Sequence, residues 1–178
     1  MNKLALSLGV AAVVLTSTAS FAADKGRVDI TGFVYGQTCQ ISDDTVYHNL
    51  RLPDTPTRSL AAAGDVSNEK VEFDIKLVNC EKNTTAGIRF DNTWNIDSRN
   101  AGTLKNVLTG NGAAKNVNIQ LLHGDMPINL NAQTKDHYLT TQSFDDTLIY
   151  NYAARYYATA QSKQGHVQTS ATFKIDYK

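Results

Sequence analysis

The hydrophobic pattern of the chain alternates almost throughout with a period of two. Val28, Ile30 and, after Gly32, Val34 alternate with Arg27, Asp29, Thr31 and Phe33. Val71, Phe73, Ile75 and Leu77 alternate with Lys70, Glu72, Asp74 and Lys76. Val117, Ile119 and Leu121 alternate with Asn116, Asn118 and Gln120. Leu148, Tyr150, Tyr152 and Ala154 open a long aromatic run through Tyr156 and Tyr157. Val167, Ala171, Phe173, Ile175 and Tyr177 form the last alternating face, with Thr169 between. Side chains in a strand point to opposite faces in turn, so each run predicts a strand with one buried and one wet face. Turn chemistry separates the runs: Pro53-Asp54-Thr55-Pro56, Gly110-Asn111-Gly112, Gly124-Asp125 and Ser162-Lys163-Gln164-Gly165. The helix-like window is short, residues 59–63, and Gly64 closes it. Short strands at this spacing predict an all-β sandwich. The single tryptophan, Trp94, follows both cysteines, which excludes the antibody-type domain.

The first 22 residues break this pattern. Lys3 is followed by an apolar stretch over residues 4–15, then by small residues at Ser20 and Ala22. That order predicts an export signal over 1–22, cleaved after Ala22. The stretch is too short to span a membrane. Export changes the reading of Cys39 and Cys80, since a bridge is the default in an oxidising compartment. Two free thiols or a metal pair are the alternatives, and they lack supporting ligands. No CxxC occurs, and no histidine lies close in sequence to either cysteine.

Composition then removes several function classes. The 178 residues carry 17 basic and 17 acidic side chains, and removal of the leader leaves 16 against 17. A nucleic-acid binder shows a basic excess or stripe. Two cysteines exclude a four-cysteine zinc site. His48, His123, His137 and His166 are scattered without an HExxH spacing, and no Gly-x-Ser-x-Gly occurs. No catalytic constellation, metal site or cofactor motif emerges. Asp43-Asp44 and Asp145-Asp146 read as solvated turns, and Asn83-Thr84-Thr85 as an incidental glycosylation match.

Several segments together carry a resemblance. The leader runs into a short extension, then Gly36-Gln37-Thr38-Cys39, Leu50-Arg51-Leu52-Pro53 and Ser59-Leu60-Ala61-Ala62-Ala63-Gly64. Phe73-Asp74-Ile75-Lys76-Leu77-Val78-Asn79-Cys80 and Asn116-Val117-Asn118-Ile119-Gln120-Leu121-Leu122 come next. Ala154-Arg155-Tyr156-Tyr157-Ala158-Thr159 precedes a C-terminal motif with Gly165 fourteenth from the end and Tyr177 penultimate. The whole resembles a structural pilin of the chaperone–usher pathway, in its type 1-like branch.

That resemblance implies an incomplete immunoglobulin-like sandwich lacking its last strand, with an extension at 23–31 and a pilin domain at 32–178. It implies that Gly26, Val28 and Ile30 are a donor strand. It places the acceptor groove at Gly165, Val167, Ala171, Phe173, Ile175 and Tyr177. Asp24 stands where many relatives place an apolar residue that starts strand exchange. The implied partners are neighbouring subunits, a periplasmic chaperone, an outer-membrane usher and a tip adhesin, with no nucleic acid. The implied location is a fimbria on the bacterial surface. The other readings are a minor, adapter or terminating subunit, or a small secreted carbohydrate-binding module using Trp94 with Tyr138 or Tyr47.

Overall fold

A computed structural model of the chain describes residues 28–32, 38–91, 94–134 and 137–178. One unit ends at Val34, and a second spans Tyr35–Lys178. The expected export signal over 1–22, Gly26 and the segment 33–37 lie outside the described residues. Residues 28–32 carry no regular structure and are exposed.

The second unit holds, in chain order, β1 (Gln40–Ile41), a 3-10 turn (Thr57–Leu60), β2 (Val71–Cys80), β3 (Thr85–Phe90), β4 (Ile96–Asp97) and β5 (Thr103–Lys105). It continues with β6 (Lys115–His123), β7 (Met126–Pro127), β8 (Leu139–Thr140), β9 (Asp146–Lys163) and β10 (Phe173–Tyr177). One sheet runs in the order β1-β2-β9-β6-β5-β4, with β7 on β6. The other runs β10-β3-β8. The long aromatic run is the centre of the first sheet: β9 has 18 residues and pairs antiparallel with both β2 and β6.

The inner faces follow the predicted alternation. Ile75 and Leu77 from β2 meet Leu148, Tyr150 and Tyr152 from β9, and Ala86 and Phe90 from β3. Phe90 sets its ring edge-on to Tyr152 at 5.2 Å, a favoured aromatic geometry. The Tyr150 hydroxyl donates to the Ala86 carbonyl at 2.6 Å, tying the two sheets through the core. Burial pushes the Tyr150 phenol up to about 12.

Two asparagines reset the register. In β2 a strict period of two would turn Asn79 inward and Cys80 outward. The ladder with β9 shifts between Leu77 and Cys80, and Asn79 has φ 54°. Asn tolerates the left-handed region better than most residues, and the extra residue of a bulge inverts the parity of the residues beyond it. Cys80 therefore turns inward, 1% exposed, and bonds Cys39. Asn116, at φ 59°, marks the corresponding shift between Lys115 and Val117 in β6. Its Nδ2 donates to the Gln161 carbonyl at 2.8 Å.

Three expectations change. The helical window is a single 3-10 turn, Thr57–Leu60, two residues earlier than expected, with Leu60 buried. The wet face of β6 is covered: Asn118 and Gln120 are both buried. Asn118 Nδ2 donates to Asp97 Oδ2 (3.0 Å) and Thr103 Oγ1 (2.9 Å), while Arg155 Nε donates to Gln120 Oε1 (2.9 Å). Finally, the last alternating face is a strand only at Phe173–Tyr177.

The Asp97 cluster has a pH consequence. Burial pushes the Asp97 carboxyl up, but donors from Asn100, Asn118 and the Arg99 backbone outweigh it and hold the group below the usual carboxylate range. A depressed folded value contributes stability above the unfolded value, near pH 4, that is lost as pH falls through the folded one. We expect the melting temperature to drop on acidification below about pH 4, and to drop less in Asp97→Asn. Parallel acid profiles of the two proteins would refute this assignment.

Candidate functional site

The C-terminal run, residues 165–178, begins where β9 ends and finishes as β10. Its side chains alternate: Val167, Thr169, Ala171, Phe173 and Ile175 are half-buried, while Gln168, Ser170, Thr172 and Lys174 are exposed. Val167, Ala171, Phe173 and Ile175 pack against the main core, yet none is fully buried. Tyr177 continues the row at 38% exposure. The apolar residues assigned to the acceptor face thus form one row in the structure.

The backbone of the run is just as one-sided. The Asp91 N–H donates to the Thr172 carbonyl (2.7 Å), and the Lys178 N–H donates to the Thr85 carbonyl (3.1 Å). In an antiparallel pair, hydrogen-bonded positions alternate with non-bonded ones. With Phe173 opposite Phe90 and Tyr177 opposite Ala86, the even-numbered residues of β10 bond to β3. The odd-numbered ones point their N–H and C=O groups away from it. Upstream, His166 and Gln168 bond the 106–114 loop through Ala114, Gly112 and Val107. Among the described residues, no hydrogen bond engages the backbone of Val167, Thr169, Ala171, Phe173, Ile175 or Tyr177.

One edge therefore carries a half-buried apolar row and a line of unpaired backbone groups. Edges of this kind are ordinarily charged, bulged or covered. β10 ends its own sheet, and β1 ends the other. The Tyr177 hydroxyl donates to the Cys39 carbonyl at 3.3 Å, so these two sheet edges lie on the same side of the sandwich. The disulfide holds Cys39 in that position.

Gly165 sets the start of the edge. It has φ +150°, and a Cβ built there would lie 2.3 Å from Ala114 N, 2.4 Å from Ala113 C and 2.8 Å from Gly112 O. It is a point of close backbone approach beside the parallel bridge Ala113↔His166. Beyond the edge, Lys174 pairs with Asp91 at 2.9 Å and holds that carboxyl below its usual value. The Tyr138 hydroxyl donates to Asp176, and the Tyr138 ring packs on Gly87.

Of the proposed donor residues, Val28 is 83% and Ile30 89% exposed, while Gly26 lies outside the described residues. Trp94 is 66% exposed, and Tyr138 is engaged by Asp176 and Gly87. The structure brings together two of the scattered histidines: the rings of His123 and His137 stack at 3.8 Å. Burial, with His137 nearby, holds His123 below the usual imidazole range. Sequence reading missed Asn95 and Asn106, which bond the C-terminal run. They belong to no periodic pattern and had no sequence signal.

The profile of the Fimbrial protein family matches residues 28–178. A major fimbrial subunit of Haemophilus influenzae is 31% identical, over 93% of this chain and 96% of its own length. The A chain of the type-1 fimbrial protein of Escherichia coli (strain K12) is 30% identical, over 95% and 94%. In fold the chain is similar to the P pilus rod subunit PapA, with a TM-score of 0.60 at 20% identity over 80% of this chain and all of that one. A sandwich with an open, apolar edge and this likeness along nearly its whole length belongs to the fimbrial protein family, as an exported, non-enzymatic structural subunit that polymerises with other pilin subunits into surface fimbriae.

Proposed function

We propose that subunits join by strand donation: the edge at residues 167–177 receives the extension of a neighbouring copy. The observation that carries this is the double character of that edge, where six residues leave their backbone groups unpaired and five of the six, all but Tyr177, present half-buried side chains. Adding a β-strand satisfies both at once, through backbone ladder bonds and alternate side chains set into the apolar row. Gly26, Val28 and Ile30 share one parity and form the donated face, while Gly26 suits a tight position. Burying Val28 and Ile30 contributes about 1.5–3 kcal/mol each. Each new ladder bond adds roughly 0.5–1.5 kcal/mol. In this reading the leader 1–22 is removed on export, 23–31 is the donor extension, and 32–178 the accepting domain. Left open, the edge invites non-specific pairing. A periplasmic chaperone covering it, and an outer-membrane usher exchanging chaperone for subunit, meet that hazard.

Fibres sheared from expressing cells and run in detergent without heating should give a ladder that collapses to monomer on heating. A protein absent from such fibres refutes the reading. Gly26→Leu should abolish incorporation into fibres while leaving the subunit's chaperone complex intact. Normal polymer from that variant refutes the assignment of Gly26 to a tight position.

A further inference from the structure

We propose that Asn95 and Asn106 are positioning residues of the accepting edge, their side-chain amides completing an interrupted backing behind residues 166–170; this rests on the strand-accepting reading above. The support behind the edge changes at Thr172. From there to Lys178, β3 and the residue that follows it, Asp91, bond the even-numbered backbone groups. Upstream of Thr172 no regular strand lies alongside the run among the described residues; single backbone bonds from Gly112, Ala114 and Val107 reach His166 and the Gln168 carbonyl, and leave the Gln168 N–H and the Ser170 carbonyl without a backbone partner.

Two asparagines fill that gap. Asn106 Nδ2 donates to the carbonyls of His166 (3.0 Å) and Ala114 (3.1 Å). Its Oδ1 accepts from the backbone N–H groups of Gln168 (3.0 Å) and Leu108 (3.1 Å). This uses the full capacity of an amide side chain, two donors and two acceptor lone pairs. It locks the run to the 106–114 loop at two consecutive even-numbered positions. Asn95 takes the next one: its Nδ2 donates to the Ser170 carbonyl (2.8 Å) and to Thr169 Oγ1 (2.7 Å).

Asn95 is the more telling of the two. It is 1% exposed, and its Oδ1 has no hydrogen-bond partner. A buried, unsatisfied acceptor is costly. The side chain's own hydrogen bonds both go to the C-terminal run, so what its burial secures is the position of that run. Together with the backbone of Gly112, Ala114 and Val107, the two amides hold His166, Gln168 and Ser170 on the side where a ladder would be. By alternation Val167, Thr169 and Ala171 then face the open side, in line with Phe173, Ile175 and Tyr177. Without the amides, the Gln168 N–H and the Ser170 carbonyl lose these bonds, and the backing between His166 and Thr172 is reduced to the backbone bonds from Gly112, Ala114 and Val107.

The test couples the asparagines to the length of the bound strand. The exported chain, residues 23–178, is refolded with a fluorescein-labelled peptide of residues 23–31, and with versions shortened by two residues at either end. In the unmodified chain each shortening should speed peptide release about tenfold. In Asn95→Ala and Asn106→Ala, one of the two shortenings should cost less than about twofold, because the residues removed no longer meet an ordered edge. In the peptide-bound state of Asn106→Ala, hydrogen exchange at the Gln168 amide should also rise about tenfold. If either alanine variant does not fold, Asn95→Asp keeps the volume, cannot donate to Ser170, and takes the same test. Equal shortening penalties in all proteins would overturn the positioning role while leaving strand acceptance intact. Capture of no peptide by the unmodified chain would instead overturn strand acceptance, and this inference with it.

Discussion

Gly165→Ala should destabilise the subunit by about 3 kcal/mol, a large share of the roughly 5–15 kcal/mol that holds a domain together. Two effects add. The residue sits at φ +150°, a conformation that side chains with a Cβ rarely adopt. The new Cβ would also stand 2.3 Å from Ala114 N and 2.4 Å from Ala113 C, distances that force something to move. What must move is backbone rather than the end of a flexible side chain. That backbone is pinned on both sides: Ala114 N–H donates to the His166 carbonyl (2.9 Å), and His166 N–H donates to the Gly112 carbonyl (2.8 Å). Relief of the clash breaks one of these bonds and displaces the start of the accepting edge. Urea unfolding of the refolded chain measures the loss. A midpoint within error of the unmodified chain would show that the 112–114 backbone yields freely, contrary to the geometry. Gly112→Ala is the matching control, because a Cβ there meets no atom within 4 Å.

The second large effect is removal of the disulfide. Cys39 and Cys80 are 41 residues apart, and closing such a loop restricts the unfolded chain by about 4 kcal/mol in the chain-entropy account. Stabilities of whole domains are only about 5–15 kcal/mol. The Cys39→Ser, Cys80→Ser double variant should therefore melt far below the oxidised protein, and reductant should lower the melting temperature of the unmodified chain to a similar value. An unchanged melting temperature on reduction would contradict a structural role for the bridge. There is a functional side as well. The Cys39 carbonyl accepts the Tyr177 hydroxyl, so the bridge also holds one border of the proposed accepting edge. Loss of polymer in the double variant should exceed the loss of folded subunit.

Much of the fold was legible because burial on one face of a strand writes itself into the sequence every second residue. Val71 to Leu77 and Leu148 to Tyr152 were read from that pattern, and both are strands with the expected faces inward. The pattern failed where a second surface intervened. Asn118 looks like a solvent position, yet Asp97 of β4 and Thr103 of β5, in the paired strands beside β6, satisfy its amide. The strand Thr85–Phe90 was missed, because Gly87 interrupts a short Ala86, Ile88, Phe90 alternation. The ring of Tyr138, packed on that glycine, comes from a distant part of the chain.

The proposed accepting edge divides in the same way. Its apolar row was readable from Val167, Ala171, Phe173, Ile175 and Tyr177, because side-chain parity is a local property of an extended chain. Whether that row would be closed by a neighbouring strand or left open was not local. It depended on which strands pair, and pairing joins residues as far apart as Ala86 and Tyr177. The two asparagines behind the edge obey the same logic, since an amide's role is set by which backbone it happens to meet. The sequence by itself determined the alternation, the turns, the bridge-competent cysteines and the glycine fourteenth from the end. Only the tertiary structure decided that, among the described residues, β10 has one partner instead of two, because hydrogen bonds between strands are made by backbone, which is the same at every residue and leaves no mark in the sequence.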